Sequence, residues 1–297
     1  MKDNGEISFC VLRNYSSLKE AVQVIFSISN QQLKKNKLSK KKLDRSIKQH
    51  DEITLSLNII NHHKINPEYT GSGISIIYED DEIFGISKPE KTHTHPLCYL
   101  DQNNTLSYLR QAGFWRELSI NKEKYDRGLL YRLDFETSGL LLYAKNNHIY
   151  QELRADFSKY VKEKKYLVIC EGECRIEGLI THYLKASRSK GELILASDHE
   201  KLGFTQAQLT LNFKGYNKEH DISLIEVRLF QGHRHQIRVQ LQNLGHAILG
   251  DPVYGNRSAD RMFLHCWKYK VNFTSEKVII DNNLGLFNDF FNLDREL

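Results

Sequence analysis

The stretch that decides the fold is LLYRLDFETSGLLLYAK, which occupies residues 129–145. Its second half, Leu140–Ala144, is a short apolar run of the kind that forms a strand buried on both faces. Thr137–Gly139 favour a tight turn, because hydroxyls bond the local backbone and glycine allows positive φ. Arg132 and Asp134 flank one apolar residue, so both side chains point to the same side of an extended segment. The spacing alone fits equally a solvated ion pair on a surface turn.

The composition is that of an ordinary globular protein with room for one large and one small domain. The chain has 297 residues, of which 40% are hydrophobic and 27% charged. It has no apolar run of about 18 residues and no apolar N-terminal segment, so we expect neither a membrane span nor a signal peptide. Its five scattered cysteines favour reduced thiols and a cytoplasmic location. The net charge of +5 permits nucleic-acid binding.

Residues 1–60 are predicted to form a small basic domain. The spacing predicts a capped helix at 16–28 and a strand at 50–57, and between them lie seven lysines and one arginine. Such a density of one sign favours phosphate contact, with Lys40 and Lys41 as candidates, although a solvated helix face or a linker has the same composition. The order of elements resembles a degenerate RNA-binding module of ribosomal protein S-four. A linker is predicted at 61–73.

Residues 74–297 are predicted to form a second, larger domain. Its apolar periodicity predicts both strands and helices. The predicted elements are a hairpin at 74–89, helices at 103–113, 146–161 and 236–244, strands at 162–172, 205–213 and 222–230, and an irregular hairpin at 178–196.

Four ordered motifs in this second domain resemble those of the RluA-type pseudouridine synthases. They are RLDxxTSGLLLxAK at 132–145, KxYxxxxxG at 164–172, HQIRVxL at 235–241 with GH and GDPVYG at 245–255, and a closing Leu-His at 264–265. The resemblance covers about residues 74–275. The chain departs from the family pattern at Tyr131, where His is usual, and at Gln231–His233, where Thr-Gly-Arg is usual.

The resemblance implies an α+β pseudouridine synthase fold, which is a mixed, mostly antiparallel β-sheet with flanking helices, and an RNA isomerase that needs no cofactor or metal. It also implies a role for each matching residue. Asp134 is the nucleophile, Arg238 keeps it ionised, and Tyr166 contacts the uracil and is a candidate base. Arg132 fills the place of the flipped base, and Leu264 packs against the uracil. The family's Arg is absent at His233, and the adjacent Arg234 is taken as a candidate phosphate contact.

The expected partner is RNA, with ribosomal RNA favoured and transfer RNA possible, and the chain is expected to act as a monomer. One alternative is a catalytically inactive RNA-binding protein that keeps the fold, which the departures at Tyr131 and His233 favour. A second is a metal hydrolase that uses His93, His95, His233 and His235, although an acidic ligand at helical spacing is missing.

Overall fold

A computed structural model describes residues 5–26, 28–35, 38–59, 64–121, 127–187 and 193–293. Contacts divide the chain into two units: Met1–Gly71 with His95–Arg127, and Ser72–Thr94 with Gly128–Leu297. Residues 95–127, which the sequence analysis placed in the second domain, therefore group with the N-terminal unit. The boundary between residues 60 and 61 lies outside the described residues, and the division into 1–60, 61–73 and 74–297 stays a prediction.

The first unit combines short helices with a two-stranded sheet. Its elements are β1 (Glu6–Cys10), α1 (Leu18–Phe26), α2 (Asn30–Lys35), α3 (Lys40–Leu43), β2 (Glu52–Ser56) and α4 (Thr105–Gln111). The helix α1 is capped as its sequence indicates. The hydroxyl of Ser17 accepts a hydrogen bond from the Glu20 amide at 3.1 Å, and the hydroxyl of Ser16 donates to the Glu20 carboxylate at 2.6 Å. The strand β1 was not predicted; it pairs antiparallel with β2.

The second unit is built on one large sheet. Its elements are β3 (Ser75–Glu79), β4 (Ile83–Lys88), β5 (Ser138–Ala144), α5 (Asn147–Ala155), α6 (Phe157–Tyr160), β6 (Val161–Glu171), β7 (Gly178–Ala186), β8 (Ile194–Ser197), β9 (Thr205–Asn217), β10 (Ile222–Leu229), α7 (Gln236–Asn243), β11 (Leu264–Asn272) and β12 (Glu276–Ile280). The strand order is β3-β4-β5-β11-β6-β10-β9-β7-β8, with β12 beside β11. Among these described strands β5 and β11 form the one parallel pair. The predicted α+β class with a mixed, mostly antiparallel sheet is confirmed.

Strand β5 is buried along its whole length, as the apolar run predicts. The predicted turn at 137–139 is wrong, because the chain turns earlier, at Phe135 and Glu136. The Thr137 amide donates to the Asp134 carbonyl at 3.1 Å, and Ser138 already belongs to β5.

The predicted helix at 146–161 is divided in two at Asp156. The backbone of Asp156 leaves the helical conformation, and its carboxylate accepts a hydrogen bond from the Lys159 amide at 3.0 Å, which caps α6. None of the described helices is long and apolar enough to cross a membrane.

Gly139 lies where β5 meets β11, and its φ is +113°. A Cβ at this position would lie within 3.0 Å of three backbone atoms of Cys266. We expect Gly139→Ala to lower the free energy of unfolding by about 3 kcal/mol or more, because a strained φ and a backbone clash add together. Gly178→Ala is the matched control, since Gly178 also has positive φ but nothing within 4 Å of its Cβ. If urea denaturation shows that both variants lose the same free energy of unfolding, the close approach of β5 and β11 at Gly139 is contradicted.

Candidate active site

The loop that carries Asp134 is fixed on both sides of that residue. The Thr94 hydroxyl donates to the Leu133 carbonyl at 2.8 Å, and the Lys88 ammonium donates to the Phe135 carbonyl at 3.3 Å. Lys88 is completely buried, and burial lowers its pKa to about 7 against the pull of the Asp134 carboxylate. The side chain of Asp134 itself is 30% exposed. A carboxylate within reach of a substrate is thus held on a constrained backbone.

Arg238 lies in the first turn of α7 and faces this carboxylate. Its Nη1 is 3.2 Å from Asp134 Oδ2. Its Nε and Nη2 donate to the two oxygens of Asp251, each at 2.7 Å. The Arg238 side chain is only 4% exposed, so it is not a surface arginine. One guanidinium therefore binds two carboxylates, one buried and one accessible.

Both members of the buried pair are charged. Burial by itself lowers the pKa of Arg238 and raises that of Asp251. The hydrogen bonds and charges of the pair outweigh burial, so the pKa of Arg238 is raised and that of Asp251 is lowered. Asp251 also accepts hydrogen bonds from the amides of Val253 and Tyr254, at 2.8 and 3.1 Å. The result is a positive charge of fixed position beside Asp134.

His235 is a further nitrogen-bearing side chain beside Asp134. It precedes α7 with φ +55°, and its Nε2 is 3.9 Å from Asp134 Oδ2. Its Nδ1 lies 3.0 Å from the Tyr254 hydroxyl. Burial lowers the pKa of His235, against the neighbouring Asp134 carboxylate, so this imidazole is neutral at pH 7. The positive charge next to Asp134 is consequently supplied by Arg238.

Five of the predicted site residues line one cleft. They are Arg132, Asp134, Tyr166, Arg238 and Leu264. Tyr166 on β6 and Leu264 at the start of β11 are buried, whereas Arg132 is exposed. The other three candidates lie elsewhere. Arg234 is exposed and is not among the described residues that line the cleft, and Lys40 and Lys41 are exposed on α3 in the first unit.

Tyr166 keeps its proton at neutral pH. Burial raises the pKa of its phenol well above 10, and the neighbouring Cys266 thiol and Asp134 carboxylate act in the same direction. A phenol can donate a hydrogen bond or offer its ring, but it cannot take up a proton in this state. The position suits contact with a base better than proton abstraction.

Tyr131, the first departure from the family pattern, is accommodated by packing. Its ring stacks on Tyr269 with centroids 4.8 Å apart, and its hydroxyl donates to the Leu140 carbonyl. The Lys164 ammonium lies 4.2 Å from the centre of the Tyr131 ring. His233, the second departure, lines the cleft, and its buried Nε2 has no hydrogen-bond partner among the described residues.

Three residues that shape the site were not predicted from the sequence, namely Lys88, Thr94 and Asp251, and a fourth, His235, was predicted only as a metal ligand of the hydrolase alternative. Asp251 lies within the GDPVYG motif, so its position was visible, but 13 residues separate it from Arg238 and spacing does not connect them. Among the described residues no group of three or more His, Cys, Asp or Glu side chains could hold a metal ion. His93 packs instead on the Phe135 ring, with centroids 4.4 Å apart.

A second polar cluster, made of Ser138, His265 and Asp281, has the residue types of a hydrolase triad. The Ser138 hydroxyl is 2.8 Å from His265 Nδ1, and His265 Nε2 is 3.7 Å from an Asp281 oxygen. All three residues are at most 3% exposed, and Arg261 donates a hydrogen bond to the Ser138 hydroxyl. The cluster therefore ties β5 to β11 and does not meet a substrate.

The buried imidazole of His265 makes stability depend on pH. Burial lowers its pKa from 6.5 to about 4, against the neighbouring Asp281 carboxylate. Between pH 6.5 and pH 4 the imidazole is protonated in the unfolded chain but not in the folded chain. The free energy of unfolding therefore falls as the pH drops from 6.5 to 4, by up to about 1.4 kcal/mol per pH unit. We expect His265→Asn to remove this part of the slope in urea denaturation, whereas the same change at exposed His148 leaves it. An unchanged slope in His265→Asn would contradict the assignment.

The mixed sheet that carries this cleft has the fold of the pseudouridine synthase class. A family model described as RNA pseudouridylate synthase matches residues 82–243, more than half of the chain, and the protein belongs to this family of RNA isomerases. The predicted family and reaction class are confirmed.

Two relatives agree with this assignment, and one solved structure shares the fold. An uncharacterized RNA pseudouridine synthase of Bacillus subtilis is 30% identical, over 90% of this chain and 85% of that protein. The ribosomal large subunit pseudouridine synthase D of Borreliella burgdorferi is 28% identical, over 86% and 77%. The structure of human RNA pseudouridylate synthase domain containing 1 has the same fold, with a TM-score of 0.58 and 21% identity over 72% of this chain and 85% of that chain.

Proposed function

We propose that this protein converts specific uridines of large-subunit ribosomal RNA to pseudouridine, with Asp134 as the nucleophile. The observation that carries the proposal is the 3.2 Å contact between Asp134 and Arg238 in a cleft that Tyr166 and Leu264 also line. The choice of RNA is supported by relatives such as the synthase D of Borreliella burgdorferi and the synthase C of Rickettsia typhi, both named for the ribosomal large subunit. We further infer a monomer and a cytoplasmic location, and the five free cysteines among the described residues support that location.

The reaction suits a site with one accessible carboxylate. The bond between ribose C1′ and uracil N1 breaks, the base rotates, a bond forms between C1′ and C5, the C5 proton leaves and N1 regains a proton. Atoms balance without a redox partner, because the product is an isomer. Asp134 acts on the ribose, either by attack at C1′ or by assisting elimination, and Arg238 stabilises its negative charge in both cases. Arg132 fills the stack that the uridine leaves, while Tyr166 and Leu264 pack against the flipped uracil.

The proposal is tested with RNA that carries tritium at carbon 5 of uridine. The protein is incubated separately with large-subunit ribosomal RNA and with transfer RNA, and released tritium and modified positions are measured. We expect release from the ribosomal RNA at a few defined positions. Release from transfer RNA alone would overturn the choice of substrate. Binding without any release would favour the catalytically inactive RNA-binding protein.

The basic segment of the first unit is proposed to contact the RNA backbone. Lys40 and Lys41 lie exposed on α3, and Ser39 caps this helix by accepting a hydrogen bond from the Lys42 amide. We expect Lys40→Gln with Lys41→Gln to weaken RNA binding and to lower the slope of log affinity against log salt by about 1.5, because each lysine that leaves a phosphate contributes roughly 0.7 to 0.9. The control is Lys201→Gln with Lys218→Gln, which removes two exposed charges elsewhere. Equal slopes for both variants would contradict the contact.

A further inference from the structure

A cavity of about 580 Å³ adjoins the candidate active site, and none of the roles assigned above uses it. It lies between α5, α6 and the end of β10. We propose that this cavity binds a second unstacked nucleotide of the substrate RNA, the one next to the target uridine. The inference rests on the proposed function, because it assumes that RNA is bound in the active-site cleft.

The cavity and the active-site cleft are neighbours that share walls. Lys164, Leu229 and Gly232 line both of them. Consecutive nucleotides are joined by one phosphodiester. When the target uridine of an RNA strand enters the cleft, the adjacent nucleotide of that strand must therefore lie close to this shared wall. The occupant is therefore continuous with the substrate and is no separate ligand.

The charge of the lining suits a nucleic-acid backbone. Arg154, Lys162 and Arg228 contribute positive charge and are exposed, and Lys164 is buried at the inner wall. None of the described residues that line the cavity is Asp or Glu. A concave surface with cations and without carboxylates favours a phosphate over a peptide or a neutral metabolite.

The remaining walls suit the flat face of a base. Phe157 and Phe230 line the cavity, and Phe230 is left 47% exposed. The guanidinium of Arg228 lies 5.2 Å from the centre of the Phe230 ring, so a cation and an aromatic surface stand side by side. Unstacked bases bind to such aromatic platforms without strong preference for sequence. The volume lies within the range of small-molecule pockets and exceeds what one base needs.

The experiment measures the affinity of substrate RNA and of the same RNA with an abasic residue on the 5′ or the 3′ side of the target uridine. The protein carries Asp134→Asn, so that no turnover occurs. We expect one of the two abasic RNAs to bind about ten-fold more weakly, the amount expected for a lost stacking contact. A second change, Ser158→Phe, fills the cavity. We expect it to weaken the binding of intact RNA to a similar extent and to remove the difference in affinity between intact and abasic RNA. If Ser158→Phe weakens RNA binding but intact RNA still binds more tightly than abasic RNA, the proposal is overturned.

Charge is tested separately from shape. We expect Lys162→Glu with Arg228→Glu to lower the affinity for intact RNA by ten-fold or more. Lys159 is exposed on α6 and lies outside the cavity lining, so Lys159→Glu should lower that affinity less. Equal affinity of all variants, or equal loss with Lys159→Glu, overturns the second site. Failure of the proposed function gives a different result: the protein without Asp134→Asn then releases no tritium from any RNA, whatever the binding data.

Discussion

Asp134→Asn is expected to abolish pseudouridine formation and to leave RNA binding intact. The amide keeps the size of the carboxylate but loses the negative charge that faces Arg238 at 3.2 Å. Removal of a nucleophile typically lowers a rate by several orders of magnitude, so tritium release should fall by about a thousand-fold or more. RNA affinity, measured by fluorescence anisotropy, should change by less than about three-fold, because phosphate contacts dominate binding.

The control for this prediction is Glu136→Gln. It removes a carboxylate from the same loop, two residues further on, and Glu136 does not line the cleft among the described residues. Near-normal tritium release in Glu136→Gln together with its loss in Asp134→Asn would assign the reaction to one carboxylate. Full activity of Asp134→Asn would end the assignment of the nucleophile.

Asp251→Ala is expected to affect stability and activity together. The change leaves the guanidinium of Arg238, whose side chain is 4% exposed, without the two 2.7 Å hydrogen bonds that hold it. Breaking a buried pair from one side costs about 3–5 kcal/mol. We expect a loss of this size in urea denaturation, and a fall in tritium release of about a hundred-fold at a pH and temperature where the variant is folded, because the charge beside Asp134 is no longer fixed in position.

A double variant separates the two effects. Arg238→Met with Asp251→Leu removes both charges and should recover much of the lost stability, because two apolar side chains replace a buried ion pair, but it should remain inactive. The surface pair of half-buried Lys270 and exposed Glu276, 3.0 Å apart, is the control, and Glu276→Ala should cost less than about 1 kcal/mol. A double variant as unstable as Asp251→Ala would contradict the pairing, and an active one would contradict the role of Arg238.

Local patterns in the sequence sufficed for the elements with strong apolar periodicity. The buried run of β5 and the helix α7 follow from spacing within ten residues. Strand β1 was missed because its residues Glu6–Cys10 alternate between exposed and half-buried and its partner β2 begins more than forty residues later. The turn before β5 was placed too late because Gly139 matches the pattern of a turn residue. Gly139 does have positive φ, but it lies within β5, where the Cys266 backbone approaches too closely for a side chain.

The candidate site was predictable where a motif carries its own chemistry, and not where partners are distant in sequence. Asp134, Tyr166, Arg238 and Leu264 lie in motifs and line the same cleft. The burial of Arg238 could not be deduced, because helix α7 is rich in polar residues and its neutralising partner Asp251 follows after the helix ends. Lys88 lies at the end of the neighbouring strand β4, and no pattern within the segment at 129–145 reveals that it fixes the loop.

The parallel pair of β5 and β11 has a consequence for fragments of this protein. Strand β11 lies between β5 and β6 in the sheet, and both it and Asp251 come after residue 243, where the family match ends. A truncated gene product that stops there would retain Asp134, Tyr166 and Arg238 in its sequence but would lack the middle of the sheet. We therefore expect a C-terminal deletion to be inactive even when every motif up to residue 243 is intact.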